Sequence, residues 1–196
     1  MSWTREGFES HAGAVGVLLA DGSEPGPVYF DLGSGAHFHE STDWWAYDGT
    51  FHRPTATTMR GRCACGWRGE RTFPIDWQQI DPDDLYSYES YDTSGPEADW
   101  EAHLDDVVSR ATPLPEDVSG LLSTLRERLD DILDDTPLTV LKAADELESI
   151  VAFFGPLAAR FVSRGEETSL PAIAEALGMT EKAARSRLHH YAYMRF

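Results

Sequence analysis

Apolar and polar residues alternate at short intervals in the first 80 residues of this 196-residue chain, and the interval lengthens to that of helices further on. The N-terminal segments "GAVGVLLA", "PVYFDLG", "AHFHESTDWWAY" and "TATTMRGRCACGW" are separated by turn-forming sequences such as "ADGSEPGP" and "YDGTFHRP". Short segments with this punctuation are typical of strands joined in hairpins. We therefore predict a small β-rich module over residues 1–80.

The pattern changes in the second half of the chain. Residues 81–97 are acidic, rich in tyrosine and interrupted by Pro and Gly, which predicts a surface linker. Apolar residues then recur every three or four positions, which predicts a helical connector over 98–135 and a helical domain over 137–196. Gly155 and Pro156 predict a kink or break in the longest helix. The predicted fold class is α+β, with a helical half that ends in a helix-turn-helix.

The helix-turn-helix prediction is based on "SLPAIAEALGMTEKAARSRLHHYA", residues 169–192. Ser169 and Thr180 are placed to cap two helices, and Gly178 lies between them where a left-handed residue ends a helix. In such a unit the second helix lies in the major groove of DNA. Its outer side carries the candidate DNA-binding residues Lys182, Arg185, Ser186, Arg187 and His189. The alternative interpretation is an amphipathic hairpin with a solvated basic face.

The net charge of −18 argues by itself against nucleic acid, because phosphate binding needs basic patches. The charge is unevenly distributed, however. Residues 51–71 carry five basic side chains and one acidic, and residues 155–196 carry six basic and four acidic. DNA is therefore an expected partner. Because a single helix-turn-helix with little net charge binds weakly, a homodimer or a further partner is implied. A basic protein that binds the acidic residues in between is the alternative partner.

The chain has two cysteines, Cys63 and Cys65, in "RGRCACGWRG". A disulfide between them would close a strained ring with little entropic gain. The sequence shows no signal peptide and no apolar run long enough for a membrane, so we expect a cytoplasmic protein with reduced thiols. The pair is then either two small buried hydrophobes or two metal ligands.

A structural zinc site needs four ligands, so the two thiolates require two imidazoles. The candidates are His37, His39, His52 and His103. If the segments around His39 and Cys63 are the arms of one hairpin, antiparallel pairing places His39 opposite Cys63 and His37 opposite Cys65. His52 would lie in the turn, roughly 30 Å along the strand from Cys63. We therefore rank His52 below the other two, and a helical histidine would join the helices to the sheet.

"CACGWRG" followed by "ADWEAH" resembles a recurring actinobacterial pattern, C-x-C-G-W upstream of W-x-x-H, in small uncharacterised proteins. The resemblance covers residues 63–103. It implies that Cys63, Cys65 and His103 are zinc ligands. It leaves the fourth ligand open, and on the expected hairpin pairing we select His39.

"VLKAADELESIV" followed by "LPAIAEALGMTEKAARSRL" resembles actinobacterial helix-turn-helix proteins. In that family an L-x-A-A-x-x-L helix precedes an S-W-x-x-I-x-x-A-L-G-V-S-R-Q-A-A-x-x-R unit. This chain departs from the pattern in having "SL" for the S-W pair and "TEK" for S-R-Q, and Glu181 brings a negative charge to the place where phosphate would lie. The resemblance implies a DNA-binding protein.

The predicted function is therefore that of a zinc-stabilised DNA-binding protein, a transcriptional regulator that uses its C-terminal helix-turn-helix. The alternative is an acidic interaction module that binds a basic protein without touching DNA. We predict no enzyme, because the sequence has no Gly-rich phosphate loop, no G-x-S-x-G elbow and no H-E-x-x-H motif.

Overall fold

The structure is a computed structural model that describes residues 2–31, 38–81, 85–164 and 169–193. The chain divides into two compact units, Met1–Ser109 and Arg110–Phe196. The strands of the described residues lie in the first unit, and the second is helical, so the predicted α+β class is confirmed. Among the described residues, no helix is both long enough and apolar enough to cross a bilayer.

The first unit contains two antiparallel sheets. Its strands are β1 (Ser2–Trp3), β2 (Gly13–Leu18), β3 (Val28–Asp31), β4 (Phe38–Ser41), β5 (Thr58–Cys63) and β6 (Phe73–Pro74). One sheet has the order β1, β2, β5, β6, and β3 pairs with β4 in the other. The long central pair β2–β5 runs from Gly13 opposite Cys63 to Leu18 opposite Thr58. A hairpin of neighbouring segments was expected here, and the structure instead pairs strands that are far apart in the sequence.

The core of the first unit lies against the β2–β5 pair. Val15, Val17 and Met59 from these strands are buried together with Trp44 and Tyr47. The last two belong to a 3₁₀ helix, Trp44–Tyr47, in a segment that the alternation predicted as strand. Residues three positions apart, such as Trp44 and Tyr47, reach one core from a helical turn, whereas in a strand they would point to opposite faces.

Two helices complete this unit, α1 (Leu85–Glu89) and α2 (Ser94–Arg110). Both begin inside the segment predicted as a linker. Helix α2 lies directly on the central strands where glycines leave room for it. A Cβ atom at Gly13 would come within 2.6 Å of the Trp100 ring, and one at Gly61 within 2.6 Å of the Pro96 carbonyl oxygen. Small residues at these points allow the helix to approach the sheet backbone closely.

The second unit consists of α3 (Glu116–Leu133), α4 (Pro137–Arg164), α5 (Leu170–Ala176) and α6 (Glu181–Tyr193). Helix α4 contacts α3 and α6, and α5 contacts α6. Helix α4 continues through Gly155 and Pro156, so of the kink or break predicted there, the break does not occur. Gly155 lies against the ring of Tyr191. The ring can approach α4 this closely because Gly155 has no side chain.

The predicted local signals around α5 and α6 are confirmed. The Ser169 hydroxyl accepts a hydrogen bond from the Ala172 amide, and the Thr180 hydroxyl accepts one from the Ala183 amide at 3.2 Å. Gly178 adopts the left-handed conformation with φ of 60°. The result is a pair of capped helices joined by a short turn.

Candidate metal centre

The two cysteines lie at the end of β5 and in the tight turn that follows it. The Gly66 amide donates to the Cys63 carbonyl at 3.0 Å, and the Cys63 amide donates to the Trp67 carbonyl at 3.0 Å. Gly66 has a φ of 98°, a conformation that side chains disfavour. The turn also directs the Trp67 amide towards the Cys65 Sγ atom, 3.5 Å away. Both thiols are free; Cys63 is buried and Cys65 is exposed.

The first histidine near the thiols is His11, which ends a short 3₁₀ helix just before β2. Its ring is buried, and its Nδ1 atom is 3.6 Å from the Cys63 Sγ atom. The Trp100 indole donates a hydrogen bond of 2.9 Å to the His11 carbonyl, which ties this histidine to α2. Within the described residues, the buried Nε2 atom of His11 has no hydrogen-bond partner.

The second histidine is His103, in the middle of α2. Its Nε2 atom is 3.4 Å from the Cys65 Sγ atom. Its ring is stacked on the Trp67 indole, with centroids 4.5 Å apart and an interplanar angle of 7°. Trp67 follows Cys65 by two residues, so a single turn supplies a thiol and positions the imidazole that faces it.

These four residues form one cluster. His11, Cys63, Cys65 and His103 each offer one ligand atom, and these atoms all lie within 4.8 Å of one another. Two sulfur and two imidazole nitrogen donors at this separation could hold a metal ion. Three parts of the fold contribute: the 3₁₀ helix before β2, the turn after β5, and α2.

The two thiols influence each other's ionisation. A hydrogen bond from Cys63 lowers the pKa of Cys65, and the Trp67 amide and His103 lower it further. The same hydrogen bond, together with burial, raises the pKa of Cys63. Of the two neighbouring thiols, the more exposed Cys65 therefore has the lower pKa.

The structure brings together Cys63, Cys65 and His103, but it does not bring His39 to them. The pairing on which His39 was selected is wrong, because β4 pairs with β3 and His39 lies opposite Phe30. His52 lies in another 3₁₀ helix, where its ring is exposed. The remaining alternative, His37, is outside the described residues.

Sequence reasoning missed His11, because its position opposite the cysteines depends on which strand pairs with β5. Gly13 pairs with Cys63, and the Ala64 amide continues the ladder by donating to the Ala12 carbonyl at 2.9 Å. Extending this antiparallel register by one more step places His11 opposite Cys65. The rule applied to His39 was therefore sound, but it was applied to the wrong strand.

Comparison of this chain with models of protein families, with curated proteins and with solved structures gives no match. The geometry of the chain itself is therefore the basis for a functional proposal.

The basic side chains around the cysteines are largely engaged within the first unit. Arg60 and Arg68 both form ion pairs with Glu24, and hydrogen bonds from them lower the pKa of Glu24 although its partial burial acts in the opposite direction. Similarly, Arg53 pairs with Asp48. The Arg71–Asp99 pair links the segment after the cysteine turn to α2. These arginines therefore have acidic partners within the first unit itself.

The candidate DNA-binding residues all lie on α6 and are all exposed. They are Lys182, Arg185, Ser186, Arg187 and His189. Four of them recur at intervals of three or four positions and therefore share one side of the helix, namely Lys182, Arg185, Ser186 and His189. Arg187 lies on another side and borders a groove between α4, α5 and α6. The buried Ala184 faces the rest of the second unit.

Proposed function

We propose that the first unit is a zinc-binding module in which His11, Cys63, Cys65 and His103 hold one zinc ion. The observation that carries this proposal is the pair of sulfur–nitrogen distances, 3.6 Å from Cys63 to His11 and 3.4 Å from Cys65 to His103. Tetrahedral zinc with bonds of about 2.3 Å to sulfur and about 2.0 Å to nitrogen requires sulfur–nitrogen distances of about 3.5 Å. The donor set also suits zinc, which prefers thiolate and imidazole in structural sites.

The role we assign to this zinc is structural. Four protein ligands complete a tetrahedron and leave no position for a substrate. The ligands come from segments separated by 52 residues between His11 and Cys63 and by 38 residues between Cys65 and His103. An ion that joins such distant segments stabilises the folded unit, because the binding free energy becomes folding free energy.

Elemental analysis of the purified, untagged protein tests the zinc proposal. We expect about one zinc per chain and a substoichiometric content in Cys63→Ser and in His103→Ala. His52→Ala is the matched control, since His52 is a histidine outside the cluster, and it should retain the metal. A metal-free native protein, or full zinc content in Cys63→Ser, would overturn the proposal.

We propose DNA binding by α6 as a second function, and with it the role of a transcriptional regulator. The supporting observation is the exposed face of Lys182, Arg185, Ser186 and His189 on the second of two capped helices. Among the described residues, no ion pair involves Lys182, Arg185 or Arg187, so these cations are available to an anionic partner. This contrasts with the arginines around the cysteines.

The DNA proposal is tested by fluorescence anisotropy with labelled duplex DNA of random sequence at several salt concentrations. Affinity should fall steeply with salt, and the double variant Lys182→Ala/Arg185→Ala should weaken it. The matched control is Arg126→Ala/Arg128→Ala, which removes the same charge from α3. Equal weakening in the two double variants would contradict the assignment to α6, and salt-independent binding would contradict contacts with phosphate.

A further inference from the structure

Helix α4 carries an exposed stripe of large apolar side chains. The stripe consists of Ile150, Phe153, Phe154, Leu157 and Phe161, which recur at helical spacing. The exposed fraction is 54% for Phe153, 61% for Phe154 and 72% for Phe161. Side chains of this size are normally buried, and here they lie together along one side of a helix in its C-terminal half.

The area of this α4 stripe is that of an interface. Because an aromatic side chain contributes about 150–250 Å² when it is buried, the three phenylalanines alone expose about 300–450 Å². Ile150 and Leu157 add to this area. A standard interface needs about 800 Å² on each partner, of which about 500 Å² is apolar. The α4 stripe supplies an apolar area of this size, and it reaches the upper range for the largest patch on a typical monomer.

Charges on α4 indicate what covers the stripe. Asp145, Glu146 and Glu148 precede it, and Arg160 and Arg164 follow it. All five are exposed, and within the part of the chain that the structure describes, no ion pair involves them. An acidic end and a basic end on the same apolar stripe are complementary to the same helix in reversed orientation.

We propose that the α4 stripe binds the α4 stripe of a second copy of this chain in antiparallel orientation. A two-fold axis near residue 155 places each acidic end beside the partner's basic end. Glu146 and Arg164 are 18 residues apart, which is five helical turns, so they lie on the same side of α4. The symmetry therefore forms the Glu146–Arg164 pair twice.

A parallel pair is disfavoured by the same charges, because it would bring acidic residues against acidic residues.

The groove next to the stripe supports a docked helix as well. It has a volume of about 620 Å³, is lined almost entirely by apolar side chains, and shares Ile150 and Phe154 with the stripe. Side chains from the second copy can extend the contact into this groove.

The dimer goes beyond the zinc and DNA proposals and depends on neither. It would present two α6 helices to DNA, but its surface consists of α4 residues that lie outside the metal cluster. It can therefore be tested without metal variants or DNA.

Sedimentation velocity of the full chain over a wide concentration range tests the dimer. We expect a species of twice the 21.8 kDa chain mass. Phe153→Glu and Phe161→Glu should dissociate it to the monomer while the helical circular dichroism is retained, since both side chains are exposed. The matched control is Leu141→Glu, because Leu141 is 66% exposed on a different side of α4. This control should remain dimeric.

Charge reversal tests the orientation. Glu146→Arg and Arg164→Glu should each weaken the dimer by at least tenfold, and the combination of both in one chain should restore it, because the reciprocal pairs are re-formed with opposite sign. A parent chain that is monomeric at all concentrations, or a dimer that Phe161→Glu leaves intact, would overturn the proposal. Failure of the combined variant to restore the dimer would overturn the antiparallel orientation.

Discussion

The imidazole of His103 lies parallel to the indole of Trp67, with ring centroids 4.5 Å apart. This stack holds the imidazole so that its Nε2 atom faces the Cys65 Sγ atom at 3.4 Å. Trp67 also donates its backbone amide to the same sulfur atom. One residue thus orients two members of the candidate metal centre that come from different elements, so Trp67 supports the geometry of this cluster.

Replacement of Trp67 should therefore weaken metal binding although Trp67 is not itself a ligand. We expect Trp67→Ala to lower the affinity by about 10–100-fold, the usual effect of losing a group that orients a ligand. Trp67→Phe, which keeps an aromatic face, should retain most of the affinity. Competition with a chromophoric chelator measures both. An alanine variant with unchanged affinity would show that the stack does not position His103.

Replacing His11 or His39 should distinguish the cluster in the structure, which contains His11, from the cluster expected from the sequence, which contained His39. We expect His11→Ala to lose the metal and His39→Ala to retain it, as determined by elemental analysis of the purified variants. His11→Cys should also retain metal, since a thiolate can replace the Nδ1 donor that faces Cys63. Metal loss in His39→Ala with retention in His11→Ala would reverse the assignment.

Removal of the metal should destabilise the first unit selectively. All six tryptophans lie in residues 1–109, so tryptophan fluorescence follows that unit alone, whereas the helices α3 to α6 dominate the circular dichroism. A chelator should lower the free energy of unfolding measured by fluorescence by at least about 2.7 kcal/mol, the contribution of a ligand present at about a hundredfold excess over Kd.

The same chelator should leave unchanged the unfolding transition of helices α3 to α6 that circular dichroism measures. It should also leave unchanged the free energy of unfolding of His11→Ala, which lacks the metal. Equal shifts of both transitions, or no shift in the native chain, would contradict a structural metal in the first unit.

A side chain at Gly61 should separate α2 from the sheet. Its Cβ atom would lie 2.6 Å from the Pro96 carbonyl oxygen, a backbone atom that cannot rotate away. We expect Gly61→Ala to destabilise the first unit by about 1–3 kcal/mol, as overpacking does. Gly26→Ala is the control, because nothing lies within 4 Å of a Cβ atom at that position. Chemical denaturation followed by tryptophan fluorescence measures both, and a neutral Gly61→Ala would contradict the close approach.

Much of the local structure could be predicted from the sequence because its causes are local. The capping by Ser169 and Thr180 and the left-handed Gly178 need only residues within one turn, and all three were recognised. The change from short alternation to helical spacing likewise identified the α+β class. Cys63, Cys65 and His103 were singled out by spacing and by a resemblance, and the structure brings these three side chains together.

The sequence by itself thus determined the change from a strand-rich half to a helical half and which residue types could bind metal, since propensity and side-chain chemistry are properties of the residues themselves. Only the tertiary structure decided that β5 pairs with β2 rather than with β4, because strand pairing depends on contacts between distant segments that alternation does not encode. That pairing brings His11 to the cysteines and leaves His39 elsewhere. It also fixes α2 on Gly13 and Gly61, which delivers His103 to the same place.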